Sequence, residues 1–370
     1  MATIRDVARE AGVSIATVSR VFNQSALVRP ETCEHVRAIA ARLDYWPNGA
    51  ARSLITSRTL ALGVVLPDLH GEFFSEVIRG IDLAARRERF QILLSSSHAD
   101  AEALTSAVRT LRGRIDGLVV MSPDADSARV VESIAASLPV VLIHSGPEAL
   151  ACATLAIANH DGALAMTRHL TALGHRPIAM LCGPSRNIDA MERLRGYRAG
   201  LAEAGLEAEA ALELAGDFSE DSGAASAATL LALDPRPSAV FCANDAMAIG
   251  LVSALRDAGV RVPEEIAVTG FDDVAIGRYL SPTLTTVRAD AFALGECAMR
   301  ILLPHAQARQ PVPAQRVSLP TELVVRASCG AGLVPETEAT LRRRHGPHAA
   351  SARRAGGDRE IAGRDGGRAS

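Results

Sequence analysis

The chain has 370 residues, 48% of them hydrophobic, and a formal net charge of −3. This length and apolar content suffice for more than one folded domain, and the near-neutral balance excludes a strongly basic protein. All 39 basic residues are arginine, which excludes every mechanism that needs a lysine, such as a Schiff base or a phosphate-binding loop lysine.

Positive charge is concentrated at the amino end. Residues 1–59 hold eight arginines against five acidic residues, a pattern that favours binding to a polyanion. The six cysteines are scattered without a CxxC pair, so they are predicted to be buried free thiols, and no metal or cofactor is expected. No signal segment follows Met1, and no apolar run approaches the roughly 18 residues of a membrane helix. The sequence therefore predicts a cytoplasmic protein without a membrane partner.

The first forty residues are predicted to form three short helices. Thr3 is placed to cap the first helix, with Asp6 three residues later in nearly a capping box. One apolar face then recurs at helical spacing, formed by Ile4, Val7, Ala8 and Ala11. Gly12 ends this helix and Ser14 caps the next, with Val18 and Val21 directed inward. Two helices joined by a glycine-containing turn are typical of a helix-turn-helix.

A third helix is predicted to start at Pro30 and to bury Val36, Ile39, Ala40 and Leu43. From residue 60 onward, short apolar runs such as "LALGVVLPD", "FQILLSSS", "IDGLVVMSP" and "LPVVLIHS" alternate with helical patterns. The same alternation resumes after residue 160 with "HRPIAMLCGP", "PSAVFCAND" and "EIAVTGFDD". Such βαβ repetition predicts two α/β layers with parallel sheets. The arginine- and glycine-rich residues 329–370 are predicted to be a disordered tail.

Several motifs carry a resemblance to a known family. "TIRDVAREAGVSIATVSRVFN", "YWPNGAARSL", "RLRGYRAGL", "RPSAVFCANDAMAIG" and "VPEEIAVTGFDDVAIGRYLSPTLTTVR" resemble the LacI–GalR family of bacterial repressors over residues 2 to about 328. The resemblance implies an α/β fold class, with a helix-turn-helix head at 1–46, a hinge at 47–59 and a two-lobed periplasmic-binding-protein-like domain at 60–328. Lobe 1 would comprise about 60–160 and 290–320, and lobe 2 about 161–289 and 321–328. The partners implied are a palindromic double-stranded DNA operator, a small-molecule effector and a second copy of the chain, with a tetramer also open.

The predicted DNA-binding residues lie on the head and hinge. The outer side of the second helix presents Arg20, which can bond bidentately to a guanine edge, and the apolar Ile15 and Ala16, which can contact thymine methyl groups. Thr17, Ser19 and Asn23 are expected at phosphates. The family places a minor-groove wedge where this chain has Leu54, on a segment too short to be a stable isolated helix. The full predicted set is Thr3, Ser14, Ile15, Ala16, Thr17, Ser19, Arg20, Asn23, Asn48, Ala51 and Leu54.

The family binds its effector between the lobes, at the carboxyl ends of the strands, where open α/β sheets generally bind ligands. The predicted effector-binding residues are Phe73, Phe74, Asn187, Asp189, Arg193, Phe218, Asn244 and Asp272. Carboxylate, guanidinium and aromatic groups in one cleft suit a sugar or sugar derivative, and would equally suit a purine. Structural roles are open for each residue: the phenylalanines as core, Arg193 as an ion pair, and Asp272 and Asp273 as helix N-caps.

Three departures from the family pattern fall near the cleft. Gly71-Glu72 replaces a common Asn-Pro, His144 stands where an acidic residue is common, and Ala158-Asn159 replaces a common Asp-Asn. The identity of the ligand therefore cannot be transferred from the family.

Two other classes of protein remain as alternatives. A solute-binding protein would share the two-lobed body but needs no DNA-binding head. An α/β enzyme is disfavoured because the sequence has neither a GxSxG elbow nor an HExxH metal motif. The sequence therefore predicts a regulator rather than an enzyme.

Overall fold

The computed structural model describes residues 2–23, 25–46, 58–98, 100–122, 130, 131, 133–143 and 152–332. The amino-terminal head contains three α-helices and one short 3-10 turn. These are α1 (Ile4–Glu10), α2 (Ile15–Asn23), the 3-10 turn (Ser25–Leu27) and α3 (Pro30–Arg42). As predicted, Thr3 caps α1: its hydroxyl accepts from the Asp6 amide at 3.4 Å, and the Asp6 carboxylate accepts from the Thr3 amide at 3.0 Å.

The three helices bury a small apolar core of their own. Val7, Val18 and Val36 contribute one residue from each helix, and none of the three has measurable solvent exposure. Phe22 and Tyr45 close one side in an edge-to-face pair with ring centroids 5.9 Å apart. The helical periodicity of the sequence thus predicted the face that each helix buries, since helical spacing fixes which side chains share a face.

The first sheet of the body has six parallel strands in the order β11-β5-β4-β3-β1-β2. Its strands are β1 (Ala61–Leu66), β2 (Gln91–Ser96), β3 (Gly117–Met121), β4 (Val140–Ile143), β5 (Ala153–Ile157) and β11 (Gln315–Leu319). The helices associated with it are α4 (Glu72–Arg87), α5 (Ala101–Leu111) and α10 (Ala291–Ala308). Because β11 and α10 come from the end of the chain, this layer is built from two separate parts of the sequence.

The second sheet has four parallel strands in the order β7-β6-β8-β9. Its strands are β6 (Ile178–Leu181), β7 (Glu213–Leu214), β8 (Ala239–Cys242) and β9 (Ala267–Thr269). The helices around it are α6 (Asn159–Ala172), α7 (Ile188–Glu203), α8 (Glu220–Leu231) and α9 (Asp245–Asp257). An antiparallel pair, β10 (Thr286–Arg288) with β12 (Glu322–Val324), lies where the chain passes between the layers. No helix among the described residues is long and apolar enough to cross a membrane.

Close helix packing depends on glycine in both layers. A Cβ on Gly80 of α4 would lie 2.2 Å from the Phe292 carbonyl oxygen of α10, and one on Gly295 of α10 would lie 2.3 Å from the Val77 carbonyl oxygen. The backbones of the two helices are therefore in direct contact. Only glycine permits this approach, because a Cβ at either position would overlap the neighbouring carbonyl oxygen.

Some features differ from the sequence prediction. The strands β5, β7, β10, β11 and β12 were not among the predicted apolar runs. β7, β10 and β12 have only two or three residues and β11 is partly exposed, whereas the fully buried run "ATLAI" of β5 was missed. The predicted end of the folded body at residue 328 is too early, since Cys329 is fully buried and its Sγ lies 3.4 Å from His169 Nε2. Residues 333–370, most of the predicted tail, lie outside the described residues.

Candidate DNA-binding surface and ligand cleft

The outer side of α2 is a polar and accessible surface. Ser14 caps the helix, because its Oγ accepts the Thr17 amide at 3.0 Å and lies 2.8 Å from the Thr17 hydroxyl. Ser14, Ile15 and Ala16 are exposed, whereas Val18 on the opposite side is completely buried. The residue types that the sequence assigned to DNA thus lie on the face of α2 that the head does not use for packing.

Arg20 is the exposed cation of this face. No carboxylate among the described residues pairs with it, whereas two other arginines of the head are engaged: Arg9 with Asp6, and Arg42 with Glu10, each at 2.7 Å. An exposed guanidinium without an intramolecular partner is free to bond to a base edge or a phosphate.

The other predicted DNA-binding residues are either engaged within the head or not fully described. Thr3 is occupied by its cap, in which its hydroxyl donates to Asp6 at 2.7 Å. Asn23 ends α2, and its side chain is outside the description, while Ser19 is half-buried. The hinge residues Asn48, Ala51 and Leu54 lie outside the described residues.

A cleft of about 500 Å³ separates the two layers of the body. Its walls are loops that follow the carboxyl ends of strands in both sheets, the place where parallel α/β sheets bind ligands. All eight residues predicted for the effector line it: Phe73, Phe74, Asn187, Asp189, Arg193, Phe218, Asn244 and Asp272. The volume lies within the usual range of small-molecule sites.

Arg193 is the central buried cation of the cleft and only 5% exposed. Its Nε donates to Asn159 Oδ1 at 2.8 Å, its Nη1 donates to the Ala243 carbonyl at 2.5 Å, and its Nη2 lies 3.3 Å from Asp272 Oδ1. Its guanidinium also lies 3.8 Å from the ring centroid of Phe271. The ion-pair role left open by the sequence is therefore real, and it coexists with a position in the cleft wall.

Asp272 combines burial, backbone strain and an ion pair with Arg193 that lacks hydrogen-bond geometry. Its side chain is 10% exposed, and among the described residues no donor with hydrogen-bond geometry faces its Oδ1. Burial raises the pKa of this carboxyl to about 6, although Arg193 acts to lower it, and the charge of Asp189 adds to the rise. Its backbone φ of 111° lies in a region that side chains other than glycine rarely adopt. Such strain and unmet bonding capacity occur together at functional sites.

The next residue, Asp273, has the opposite surroundings. Its carboxylate pairs with Arg326, with Arg288 at 2.8 Å and with Arg278 at 3.4 Å. Burial acts to raise the pKa of Asp273, but hydrogen bonds from Arg326 and Arg288 outweigh it and hold the pKa below its ordinary value. The alternative that these two aspartates are helix N-caps is therefore wrong: one faces the cleft and the other is neutralised by arginines.

The two asparagines of the predicted set do cap helices. Asn187 Oδ1 accepts the Ala190 amide at 3.0 Å, and Asn244 Oδ1 accepts the Met247 amide at 3.0 Å. Asn244 Nδ2 also donates to the Phe218 carbonyl at 2.9 Å, which fixes an aromatic wall of the cleft. Each asparagine therefore orients the cleft besides bordering it.

The aromatic members stand on both sides of the cleft. Phe73 and Phe74 follow β1 and pack edge-to-face with centroids 5.7 Å apart. Phe218 lies opposite, on the loop before α8, with a positive φ of 74°. The cleft thus offers apolar ring surfaces around a polar floor, a combination that suits a ligand with both apolar faces and hydrogen-bonding groups.

Sequence reasoning missed several polar wall residues. These are Asp68, His70, Glu72, His98, Asp217, Ser219 and Glu220. A signal was available, because they follow the strands β1, β2 and β7 at the same sheet edge as the predicted residues. Glu72, singled out only as a family departure, accepts the backbone N–H of Ala275 from the other layer. The second departure, His144, lies outside the described residues, and Asn159 of the third is buried behind Arg193.

A helix-turn-helix head joined to two α/β layers around a ligand cleft defines a ligand-controlled DNA-binding regulator. The profile of bacterial regulatory proteins of the lacI family matches residues 3–48, and that of the periplasmic binding protein-like domain matches residues 167–329. The HTH-type transcriptional repressor PurR of Vibrio atlanticus is 36% identical over 82% of this chain and 91% of its own length. PurR of Haemophilus influenzae (strain PittEE) is 34% identical over 89% and 98%.

Solved structures agree with these relatives. The lac repressor dimer bound to operator and the anti-inducer ONPF has a TM-score of 0.79 at 33% identity and covers 89% of this chain and 99% of its own. The transcriptional regulator CelR in complex with cellobiose has a TM-score of 0.66 at 32% identity and covers 89% and 100%. The chain belongs to the lacI family of bacterial regulatory proteins. It is a DNA-binding transcriptional regulator with an effector-binding domain, as the sequence predicted.

Proposed function

We propose that this protein is a repressor that binds a palindromic operator as a homodimer and releases or tightens on it when a small molecule enters the cleft. The observation that carries the proposal is that one chain combines an Arg20 without a described carboxylate partner on α2 with a ligand-sized cleft lined by Arg193 and Asp272. The head at 1–46 would bind the operator, the hinge at 47–59 would order on it, and residues 60–328 would hold the effector. The proposed site of action is the cytoplasm.

The effector proposed is a sugar or sugar derivative, with a purine as the alternative. Hydroxyl groups would donate to Asp272 and accept from Asn187 or Arg193, while an apolar ring face would lie between Phe74 and Phe218. Cellobiose in the related regulator CelR supports a sugar. We propose that the ligand is bound and released unchanged, so that the protein does no catalysis.

Control would pass through the angle between the layers. Ligand in the cleft contacts both of them and therefore changes their relative free energy in the open and closed arrangements. That change would shift the hinge pair between its ordered and disordered states on DNA. The affinity for the operator would change as a result, because only the ordered hinge binds it.

The test of this function uses the full chain and duplexes selected by it from a random library. A palindromic consensus should emerge, and binding to it should weaken steeply with salt, since phosphate contacts release counterions. Adding a compound that raises the melting temperature should change operator affinity at least about fivefold. A chain that selects no consensus, with and without such a compound, would contradict the repressor function.

The second copy of the chain is proposed to cover the free edge of the six-stranded sheet. Leu93 and Leu94 of the edge strand β2 are 36% and 43% exposed, and Leu83 of the neighbouring α4 is 38% exposed. Because consecutive strand residues point to opposite faces, both faces of the sheet are uncovered here. An exposed apolar edge strand is a site of association unless another chain protects it.

Leu94→Asp is expected to shift the protein from dimer to monomer. A carboxylate buried at the interface would cost several kcal/mol, enough to raise the dissociation constant at least about a hundredfold. Light scattering after gel filtration measures the mass, and operator affinity should fall with it. Met191→Asp, at an apolar position on α7 that is 53% exposed, should remain dimeric. A Leu94→Asp variant that stays dimeric would contradict this surface.

A further inference from the structure

The cleft wall carries an unequal balance of charge. Among the residues that the structure describes, six carboxylates line it and a single guanidinium, that of Arg193. The carboxylates are Asp68, Glu72, Asp189, Asp217, Glu220 and Asp272. The remaining titratable groups of the wall are His70 and His98, both exposed at the rim.

The single guanidinium is not available to neutralise an anion. Its Nε, Nη1 and Nη2 already face Asn159, Ala243 and Asp272, and its charge is balanced by Asp272 at 3.3 Å. An arginine that recognises phosphate or carboxylate usually offers a bidentate edge. In Arg193 the donors of that edge already face protein groups, so an anion entering the cleft would find the arginine already paired.

The floor of the cleft is itself acidic. The Asp272 side chain is nine-tenths covered, its Oδ1 is held in an ion pair 3.3 Å from Arg193 Nη2, and among the described residues no group gives that oxygen a hydrogen bond of regular geometry. Asp189 stands close enough to act electrostatically on Asp272, and its Oδ1 accepts from Asn159 Nδ2 at 2.8 Å. Two neighbouring carboxylates attract hydroxyl or ammonium hydrogens and repel negative charge.

Helix dipoles reduce this negative potential without cancelling it. Four helices begin at the cleft: α4, α7, α8 and α9. Each amino terminus is equivalent to roughly half a positive charge, so together they offset about two carboxylates. Arg193 offsets one more, and about three negative charges remain. Salt screens the exposed rim acids, so Asp189 and Asp272, which are less exposed, would discriminate most.

We propose that the cleft selects an effector without negative charge, a neutral polyhydroxy compound or its amine, and rejects the phosphorylated and carboxylated forms of that compound. This inference rests on the proposed function, in which the cleft holds the effector. Hydroxyl or ammonium hydrogens of the effector donate to the Asp272 carboxylate. A phosphate or carboxylate of the same compound is instead repelled by Asp272, Asp189, Glu72 and the rim acids.

The test measures binding of matched pairs to the full chain by thermal shift and calorimetry. The pairs are glucose with glucose phosphate, glucose with gluconate, ribose with ribose phosphate, inosine with inosine monophosphate, and glucosamine with glucosamine phosphate. In any pair that binds, the form without negative charge should bind at least about tenfold more tightly. Phe218→Ala should weaken this binding, which locates it in the cleft.

Different outcomes separate the two proposals. An anionic member that binds as tightly as its uncharged parent, and loses affinity in Phe218→Ala, overturns the charge selection and leaves the effector function standing. If no member of any pair binds or alters operator affinity, the proposed effector function fails and the charge selection fails with it.

A variant that removes one negative charge from the cleft tests whether electrostatic repulsion causes the selection. Glu220 lines the cleft, is exposed and has no described partner, so Glu220→Gln should raise the affinity for the anionic members about threefold relative to the affinity for their parents. Glu207→Gln makes the same change at an exposed position outside the cleft and should leave the ratio unaltered. Equal effects of the two substitutions would overturn the electrostatic explanation.

Discussion

Arg20→Ala is expected to weaken binding to the selected operator by about tenfold to a hundredfold, while the head keeps its fold. The guanidinium projects from the exposed side of α2 and has no carboxylate partner among the described residues. A bidentate contact to guanine contributes about 1–3 kcal/mol of discrimination, and truncation to alanine removes it. Fluorescence anisotropy with the wild-type consensus duplex measures the loss, and circular dichroism checks the helices.

The matched control for this substitution is Arg42→Ala. Arg42 carries the same charge in the same head but is paired with Glu10 at 2.7 Å. Its removal should change operator affinity less than about threefold, because an exposed ion pair contributes little. The Arg20 variant should also lose discrimination at one base pair, visible when the selection is repeated with it. Equal losses from both variants, with an unchanged consensus, would show that α2 does not read bases through Arg20.

Asp272→Asn is expected to abolish the response to effector and at the same time to stabilise the protein at neutral pH. The carboxyl has its pKa raised from 3.8 to about 6, primarily by burial. Because the folded state holds this proton more strongly than the unfolded state, ionisation costs stability. The cost is absent below about pH 4, grows as the pH rises towards 6, and is complete above it, where it reaches about 3 kcal/mol.

The stabilisation by Asp272→Asn should depend on pH. The melting temperature of Asp272→Asn should exceed that of the wild type by more at pH 7.5 than at about pH 4.5, since only the wild type carries the ionisation cost. Calorimetry with a compound that binds the wild type should detect at least a hundredfold loss, because the amide offers a donor where the ligand expects an acceptor. Unaltered binding in the variant would remove Asp272 from the effector site.

Asp273→Asn is the internal comparison, because we expect it to lower stability at neutral pH where Asp272→Asn raises it. Arg326, Arg288 and Arg278 surround this carboxylate, and its pKa lies below the ordinary value. Its ionised form therefore contributes stability above about pH 4 that disappears as the pH falls through its folded pKa. Replacing it should lower stability at pH 7.5 by about 2 kcal/mol, since the partly exposed Arg326, Arg288 and Arg278 would lose their charged hydrogen-bond acceptor. Two adjacent substitutions with opposite effects on melting temperature would separate the functional aspartate from the structural one.

The sequence by itself determined the local architecture of the head. Thr3 with Asp6, and Ser14 with Thr17, form caps that depend only on residues three apart, and helical spacing set which side of α2 is buried. The sequence also determined where the cleft lies. Residues that follow parallel strands meet at one sheet edge, and for that reason all eight predicted residues border one cavity.

Only the tertiary structure decided what those residues do there. Asp272 and Asp273 are chemically identical neighbours in "GFDD", and no sequence pattern tells that one faces an open cleft while the other is neutralised by three arginines. The bond from the Ala275 amide to Glu72 spans 203 residues, and β11 joins the first sheet from the far end of the chain. Burial and charge pairing arise from segments remote in sequence, whereas caps and periodicity arise within one turn. The fold and the position of the site therefore followed from local chemistry, and the electrostatics of the site from long-range packing.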